Sequence, residues 1–266
     1  MLLCGLLIAG LGACGGDDDD ATDSGDDTKQ DDSGLDAASA PTAAADFCEG
    51  FHNLDLAFAD APEDPAELEA FVTEQVTPNV ALVEANAPTE IDASITTMLG
   101  AVEQVTTSGD FSAFETPEFT EAQGEVYPYL SEGCGWTSME TSAVDYSYEG
   151  MPETVEAGTV VITMANDSAA GEPHELGLVK LTDAAADLTV EELLALPEAE
   201  AEQYFDMEDS GAHLFAAPGA VGGVTADLTP GRYAYACFVP TGTTMDTEGT
   251  GQPHFMEGMF GELTVT

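Results

Sequence analysis

Pro230-Gly231-Arg232-Tyr233-Ala234-Tyr235-Ala236-Cys237 is the stretch that decides how the C-terminal half of this chain is read. Proline followed by glycine marks a turn. The residues after it alternate large and small, and tyrosine suits the pleated, half-buried surface of a sheet. They predict a strand over Arg232–Val239 with a cysteine near its end. Outward from this segment the same signature recurs in Asp145-Tyr146-Ser147-Tyr148, Thr159–Met164, Glu175–Leu181, Val224–Leu228 and Met259–Val265. Clusters of Gly, Pro, Asn and Asp divide these runs, as turns divide strands. Short strands joined by turns predict an antiparallel β-sandwich over residues 140–266. One insertion departs from the pattern: Thr189–Phe205, with Leu193, Leu194 and Leu196, predicts one or two helical turns around Pro197.

Four residues stand at the ends of these strands. His174 follows Pro173, Cys237 closes the quoted octapeptide, His254 follows Pro253, and Met259 lies five residues further on. Taken singly, each is most simply a core residue. Together they supply two imidazoles, a thiolate and a weak thioether, the donor set of a blue-copper electron-transfer site. Sulfur donors favour the cuprous ion and imidazoles keep the cupric ion acceptable, so a fixed compromise geometry lets the metal change oxidation state with little rearrangement. His213, between Ala212 and Leu214, has no place in the set and is expected to be structural or exposed.

Here a resemblance becomes specific. The strand 230–237 resembles the one that precedes the cysteine ligand of plastocyanin-like cupredoxins. Pro173-His174-Glu175-Leu176 is similar to the first histidine motif of that family. His254-Phe255-Met256-Glu257-Gly258-Met259 and the following Phe260–Val265 resemble its second histidine, axial methionine and closing strand. The order His, Cys, His, Met is the family's order. The resemblance implies a cupredoxin-like Greek key and one type 1 copper site, with His174, Cys237 and His254 as the trigonal ligands and Met259 as the axial one. In the family a few residues separate the cysteine from the second histidine. Here sixteen do, Phe238–Pro253, with Gly242, Gly249 and Gly251 among them. Loop length itself costs little, but a long glycine-containing loop is expected to hold His254 less rigidly and to leave the site more open.

Residues 46–136 read as a small helical domain, which makes the whole an α+β two-domain chain. Phe47, Phe51, Leu54 and Phe58 step by four, three and four residues, and Ile91, Ile95, Met98, Val102 and Val105 do likewise. That is the spacing of one helix face. Asp64 before Pro65 is a reasonable N-cap with proline in the first helical position. Three or four short helices are expected. Cys48 opens this segment and Cys134 closes it, so their pairing as a disulfide is the simplest arithmetic in an oxidising compartment. Pairing of Cys237 with either one is an alternative, and it would strand an odd cysteine among the helices. His52 is expected at the surface or in a cap. No function is legible in the helices themselves.

The N-terminus reads as an address. Leu2–Leu11 is an apolar run too short for a membrane span and suited to a signal peptide. Leu11-Gly12-Ala13-Cys14 is similar to the bacterial lipobox, which implies a lipoprotein signal peptide over residues 1–14 ending at the lipobox, with Cys14 lipidated as the mature N-terminus. Residues 15–45 carry Asp17-Asp18-Asp19-Asp20, more aspartates and then small residues, a composition that forms no core and extends by self-repulsion. The chain has 52 Asp and Glu against 3 Lys and Arg, a formal net charge of -49. So acidic a chain repels nucleic acid, whose binding depends on cations. The expectation is an exported protein on the outer side of a bacterial cytoplasmic membrane, held by a lipid anchor. It would carry electrons rather than act as an enzyme, and its acidic surface would suit a redox partner with a basic docking face. Copper storage or delivery, or a metal-free module of the cell surface, are the alternatives.

Overall fold

Four helical stretches precede the strands in the computed structural model, which describes residues 43–266 apart from 60, 63, 64 and 110. The signal segment, Cys14, most of the acidic tether and the expected cap Asp64 lie outside the described residues. Helix α1 is Ala45–Ala59; α2, Pro65–Phe71, passes through a π turn, Val72–Val76, into α3, Thr77–Asn86; α4 is Asp92–Ser108 and α5 is Pro117–Gly133. The π turn has a cause in Pro78. Proline lacks the N–H and its ring strikes the carbonyl four residues back. Just before it, the Thr77 N–H reaches back five residues to the Val72 carbonyl, which widens the turn. Helix α5 begins as capping chemistry dictates, with Pro117 in its first turn and the Thr116 hydroxyl accepting the Phe119 N–H at 3.3 Å. The expected stripes face inward: Phe47, Phe51 and Leu54 meet Ile95, Met98, Val102, Val126 and Leu130. Cys48 and Cys134 are joined in a disulfide across 86 residues, a closure that contributes about 4.6 kcal/mol by the chain-entropy relation.

The strands are β1 Thr137–Val144, β2 Ser147–Glu149, β3 Thr154–Val155, β4 Gly158–Asn166, β5 His174–Leu181, β6 Phe205–Ala216, β7 Val221–Leu228, β8 Gly231–Ala236 and β9 Phe260–Val265. They form two sheets, ordered β2-β1-β4-β7 and β3-β9-β8-β5-β6. The chain changes sheet between β2 and β3, β3 and β4, β4 and β5, β6 and β7, and β7 and β8, a Greek-key path compatible with a cupredoxin fold. Helices α6, Val190–Leu194, and α7, Glu198–Ala201, occupy the insertion between β5 and β6.

Purely antiparallel pairing does not hold. Strands β1 and β4 run parallel, as do β3 and β9. Between β1 and β4 the chain visits β3 in the other sheet, so it re-enters the first sheet travelling in its original direction, which a hairpin cannot achieve. The strand expected at 145–148 is half turn and half strand: Asp145 takes a left-handed φ of 50°, Ser147 and Tyr148 lie in β2, and β2 folds back on β1. Strand β6, unforeseen, is an edge of the second sheet.

Tyr233 pins the turn before β8. It is fully buried, and its hydroxyl accepts the Thr229 N–H at 3.1 Å and donates to the Thr229 carbonyl at 3.0 Å. Arg232, next to it, grips the Glu262 carboxylate and the Ala185 and Leu188 carbonyls, fastening the insertion to β8 and β9.

Helices and sandwich belong to one compact unit, and β7 makes the junction. Any side chain at position 223 would start 2.3 Å from the Tyr127 ring, so glycine there lets α5 lie directly on the sheet. Beside it, Asp55 of α1 accepts three hydrogen bonds: from the Tyr127 hydroxyl at 2.9 Å, and from the Thr225 N–H and hydroxyl at 2.8 Å each. His52 was expected at the surface or in a cap. It is instead buried in this junction, with Nδ1 2.8 Å from the Thr225 hydroxyl and its ring against Trp136. Its Nε2 lies 3.1 Å from Asp227 Oδ2, an ion-pair distance whose angles fall short of a hydrogen bond.

Burial lifts the Asp55 carboxyl from 3.8 to about 6, against the opposing pull of its hydrogen bonds and of His52. The folded chain therefore holds this proton more tightly than the unfolded one. The resulting stability is fully present below pH 3.8 and is lost as pH rises through 6. Denaturant unfolding should show Asp55→Asn losing about 2.4 kcal/mol of the wild type's decline between pH 4 and 7, the part of the linkage that falls in that window at about 1.36 kcal/mol per pH unit.

Candidate metal centre

Neighbouring strands deliver the site. Strand β5 pairs with β8, and β8 with β9, so the start of β5, the end of β8 and the entry to β9 lie together at one end of the second sheet. His174 is the first residue of β5, Cys237 follows β8, and Met259 precedes β9. His254 opens a single 3-10 turn, His254–Glu257, after Pro253. Backbone bonds hold these positions: the Cys237 N–H to the Met259 carbonyl at 3.1 Å, the Phe255 N–H to the Cys237 carbonyl at 2.8 Å and the Met259 N–H to the His254 carbonyl at 3.1 Å.

Three donor atoms converge. His254 Nδ1 lies 3.0 Å from His174 Nδ1 and 3.4 Å from Cys237 Sγ, and His174 Nδ1 lies 3.9 Å from Cys237 Sγ. The circle through these three atoms has a radius of about 2.0 Å, close to the bond lengths of about 2.0–2.3 Å that imidazole nitrogen and thiolate sulfur make to a first-row ion such as zinc. All three residues are fully buried, as is Met259, which packs in the same apolar cluster as Cys237. Among the described residues this is the one cluster of His, Cys and acidic side chains with ligating spacing. The four residues singled out in the sequence are thus brought to one place by the fold. His213 is not among them: it is exposed on β6, 3.1 Å from Glu175.

The cluster suits a cation better than it suits itself. Burial lowers the His174 imidazole to about 4, helped by the nearby His254 ring, and raises the Cys237 thiol to about 12. In the neutral state these three atoms could satisfy one another's lone pairs only through the weak Cys237 S–H donor or an imidazole N–H, and among the described residues His174 Nε2 is buried with no hydrogen-bond partner. A cation at the centre would turn each of those lone pairs to use.

The loop Phe238–Pro253 is not loose. Pro240 and Pro253 bridge at its base, the Thr241 N–H donates to the Gln252 carbonyl at 2.9 Å, and the His254 N–H to the Val239 carbonyl at 2.9 Å. Gly242 supplies a left-handed φ of 85°, and Gly249 and Gly251 serve close approach. A side chain at position 249 would begin 2.3 Å from the Thr241 carbonyl oxygen. The excursion therefore leaves and returns at one point, and His254 is held as if the loop were short. Two residues not singled out from the sequence complete the surroundings. Glu172 Oε2 lies 2.7 Å from His254 Nε2, and the Tyr146 ring stands 4.9 Å from the His254 ring. For Glu172 the available signal in the sequence was a carboxylate two residues before a candidate ligand.

No protein-family model and no curated protein matches the sequence. Solved structures are similar to about half of it. A reduced auracyanin from the photosynthetic bacterium Roseiflexus castenholzii is 24% identical over 49% of this chain and 97% of its own, with a TM-score of 0.32. Auracyanin A, described as a "blue" copper protein from the green thermophilic photosynthetic bacterium Chloroflexus aurantiacus, is 26% identical over 49% of this chain and 98% of its own, also at 0.32. Auracyanin B is 24% identical, covering 49% and 88%, with the same score. What the site can do is read from its own donor atoms.

A cation held by these three residues would take the place of the Cys237 proton, because a thiol held at about 12 is protonated throughout the neutral range. Apparent cupric affinity should therefore rise about tenfold per pH unit between pH 7 and 9, measured by competition with a chelator of known proton linkage.

Proposed function

We propose that this protein is an exported, lipid-anchored copper protein that carries electrons and is not an enzyme. The observation that carries the copper reading is the buried triangle of His174 Nδ1, Cys237 Sγ and His254 Nδ1. Two imidazoles and a thiolate with a methionine nearby are the donor chemistry of blue-copper sites. Copper held there would supply a one-electron couple. The residues' part is to keep one arrangement through both oxidation states. The β-ladder fixes His174 and Cys237, and the closed base of the loop fixes His254. Met259 is proposed as the weak axial donor, on its burial and its backbone bonds to Cys237 and His254.

Electron exchange needs access for a partner without access for water. Among the described residues, the large apolar side chains most open to solvent include Phe238, Met245 and Met256, all from the segment between Cys237 and Met259. Exposed apolar side chains close in sequence to Cys237 and His254, on so acidic a chain, support a partner with a basic rim around an apolar contact. Export and anchoring are supported by the sequence Leu11-Gly12-Ala13-Cys14 and by the Cys48–Cys134 disulfide, which persists in oxidising compartments.

Addition of cupric ion should give one bound copper per chain, an intense visible charge-transfer band and a reversible one-electron wave, with the band absent from Cys237→Ser. Stopped-flow oxidation of the reduced protein should be at least about tenfold faster with a cationic complex than with an anionic one of equal driving force, and the gap should close as salt rises. Stoichiometric binding without the band would instead favour copper storage or delivery.

A further inference from the structure

Glu172 stands outside the donor set, yet it touches both parts of the structure on which His254 depends. Its Oε2 is 2.7 Å from His254 Nε2 and its Oε1 accepts the Gly242 N–H at 2.9 Å. One carboxylate thus ties the imidazole to the middle of the loop that carries it. Glu172 is itself held. The buried Asn166 side chain donates to the Glu172 carbonyl at 2.9 Å and to the Ala216 carbonyl at 3.0 Å, fixing the segment before β5 against β6. The His254 side chain is fully buried and that of Glu172 is 14% exposed, so the pair lies where solvent screens it little.

A carboxylate only accepts hydrogen bonds, so the imidazole must carry its proton on Nε2. That leaves Nδ1, the atom facing His174 and Cys237, with a free lone pair. Without the carboxylate, Nδ1 could carry the proton and offer N–H to the centre of the triangle. Resting on the copper reading, we propose that Glu172 is a positioning residue for the metal. It would set the His254 tautomer, hold the loop, and favour the cupric over the cuprous ion by its negative charge. Partners of this kind are commonly worth 10–100-fold in metal affinity.

The test uses the full chain and two variants. Glutamine keeps the shape of Glu172 but has one acceptor oxygen, so it cannot serve both His254 and Gly242; alanine removes both contacts. In the metal-free protein, nitrogen-15 chemical shifts should show His254 protonated on Nε2 in the wild type and mixed between tautomers in Glu172→Ala. With copper bound, Glu172→Gln should lose about tenfold of its preference for cupric over cuprous ion, a rise of about 59 mV in reduction potential for a one-electron couple. A merely structural glutamate would be rescued by glutamine. Restoration of both tautomer and potential by Glu172→Gln overturns the proposal, as does a wild-type tautomer protonated on Nδ1. Should no form of the protein bind copper, the copper reading falls, and the tautomer of metal-free His254 still decides whether Glu172 sets it. Should Glu172→Ala fail to fold, the wild-type tautomer and the Glu172→Gln potential decide.

Discussion

Everything in this fold answers to one constraint: two imidazole nitrogens and a sulfur are held within 3.9 Å of one another and away from water. Buried polar atoms without partners are costly, and three lone pairs facing inward relieve one another poorly. Only a scaffold stiffer than the cluster can keep it assembled. The second sheet supplies that stiffness, because His174 and Cys237 sit at the ends of paired strands and Met259 enters the next strand of the same ladder. The donors cannot spread without breaking backbone hydrogen bonds.

The loop and the helices extend the same logic outward. A long connection between Cys237 and His254 would free the second imidazole, were it not cross-linked at its base and tethered by Glu172 at its middle. On the far sheet, α1 and α5 cover β7 through Gly223, Thr225 and the Asp55 carboxyl. The disulfide ties the start of α1 to the end of α5, so the two helices in this junction are braced against each other before they meet the sandwich. Helices that looked functionless in sequence are a lid on one face of the sandwich. A chain with charge -49 spends cohesion on self-repulsion, and such bracing offsets it.

Much of this was legible in the amino-acid sequence, for reasons that differ from residue to residue. The octapeptide 230–237 and the His, Cys, His, Met order were readable because strand alternation and ligand chemistry are local properties of residue types. The Cys48–Cys134 pairing followed from counting. Parallel pairing of β1 with β4 was hidden because Thr137–Val144 is polar on one face and its partner lies beyond a strand of the other sheet. His52 and Asp55 were misread or passed over since their partners, Thr225 and Asp227, are more than 160 residues away. The glycines of the long loop looked like flexibility; in three dimensions Gly249 and Gly251 permit contact that any side chain would block.

The central claim is that the protein, not the metal, sets the triangle of donors. X-ray absorption of the copper-loaded chain at the copper edge, oxidised and then reduced, tests it most directly. The account predicts one short sulfur and two nitrogen neighbours in both states, with bond lengths that barely change on reduction. A shell without sulfur, or one that gains or loses a ligand between the two states, would contradict it.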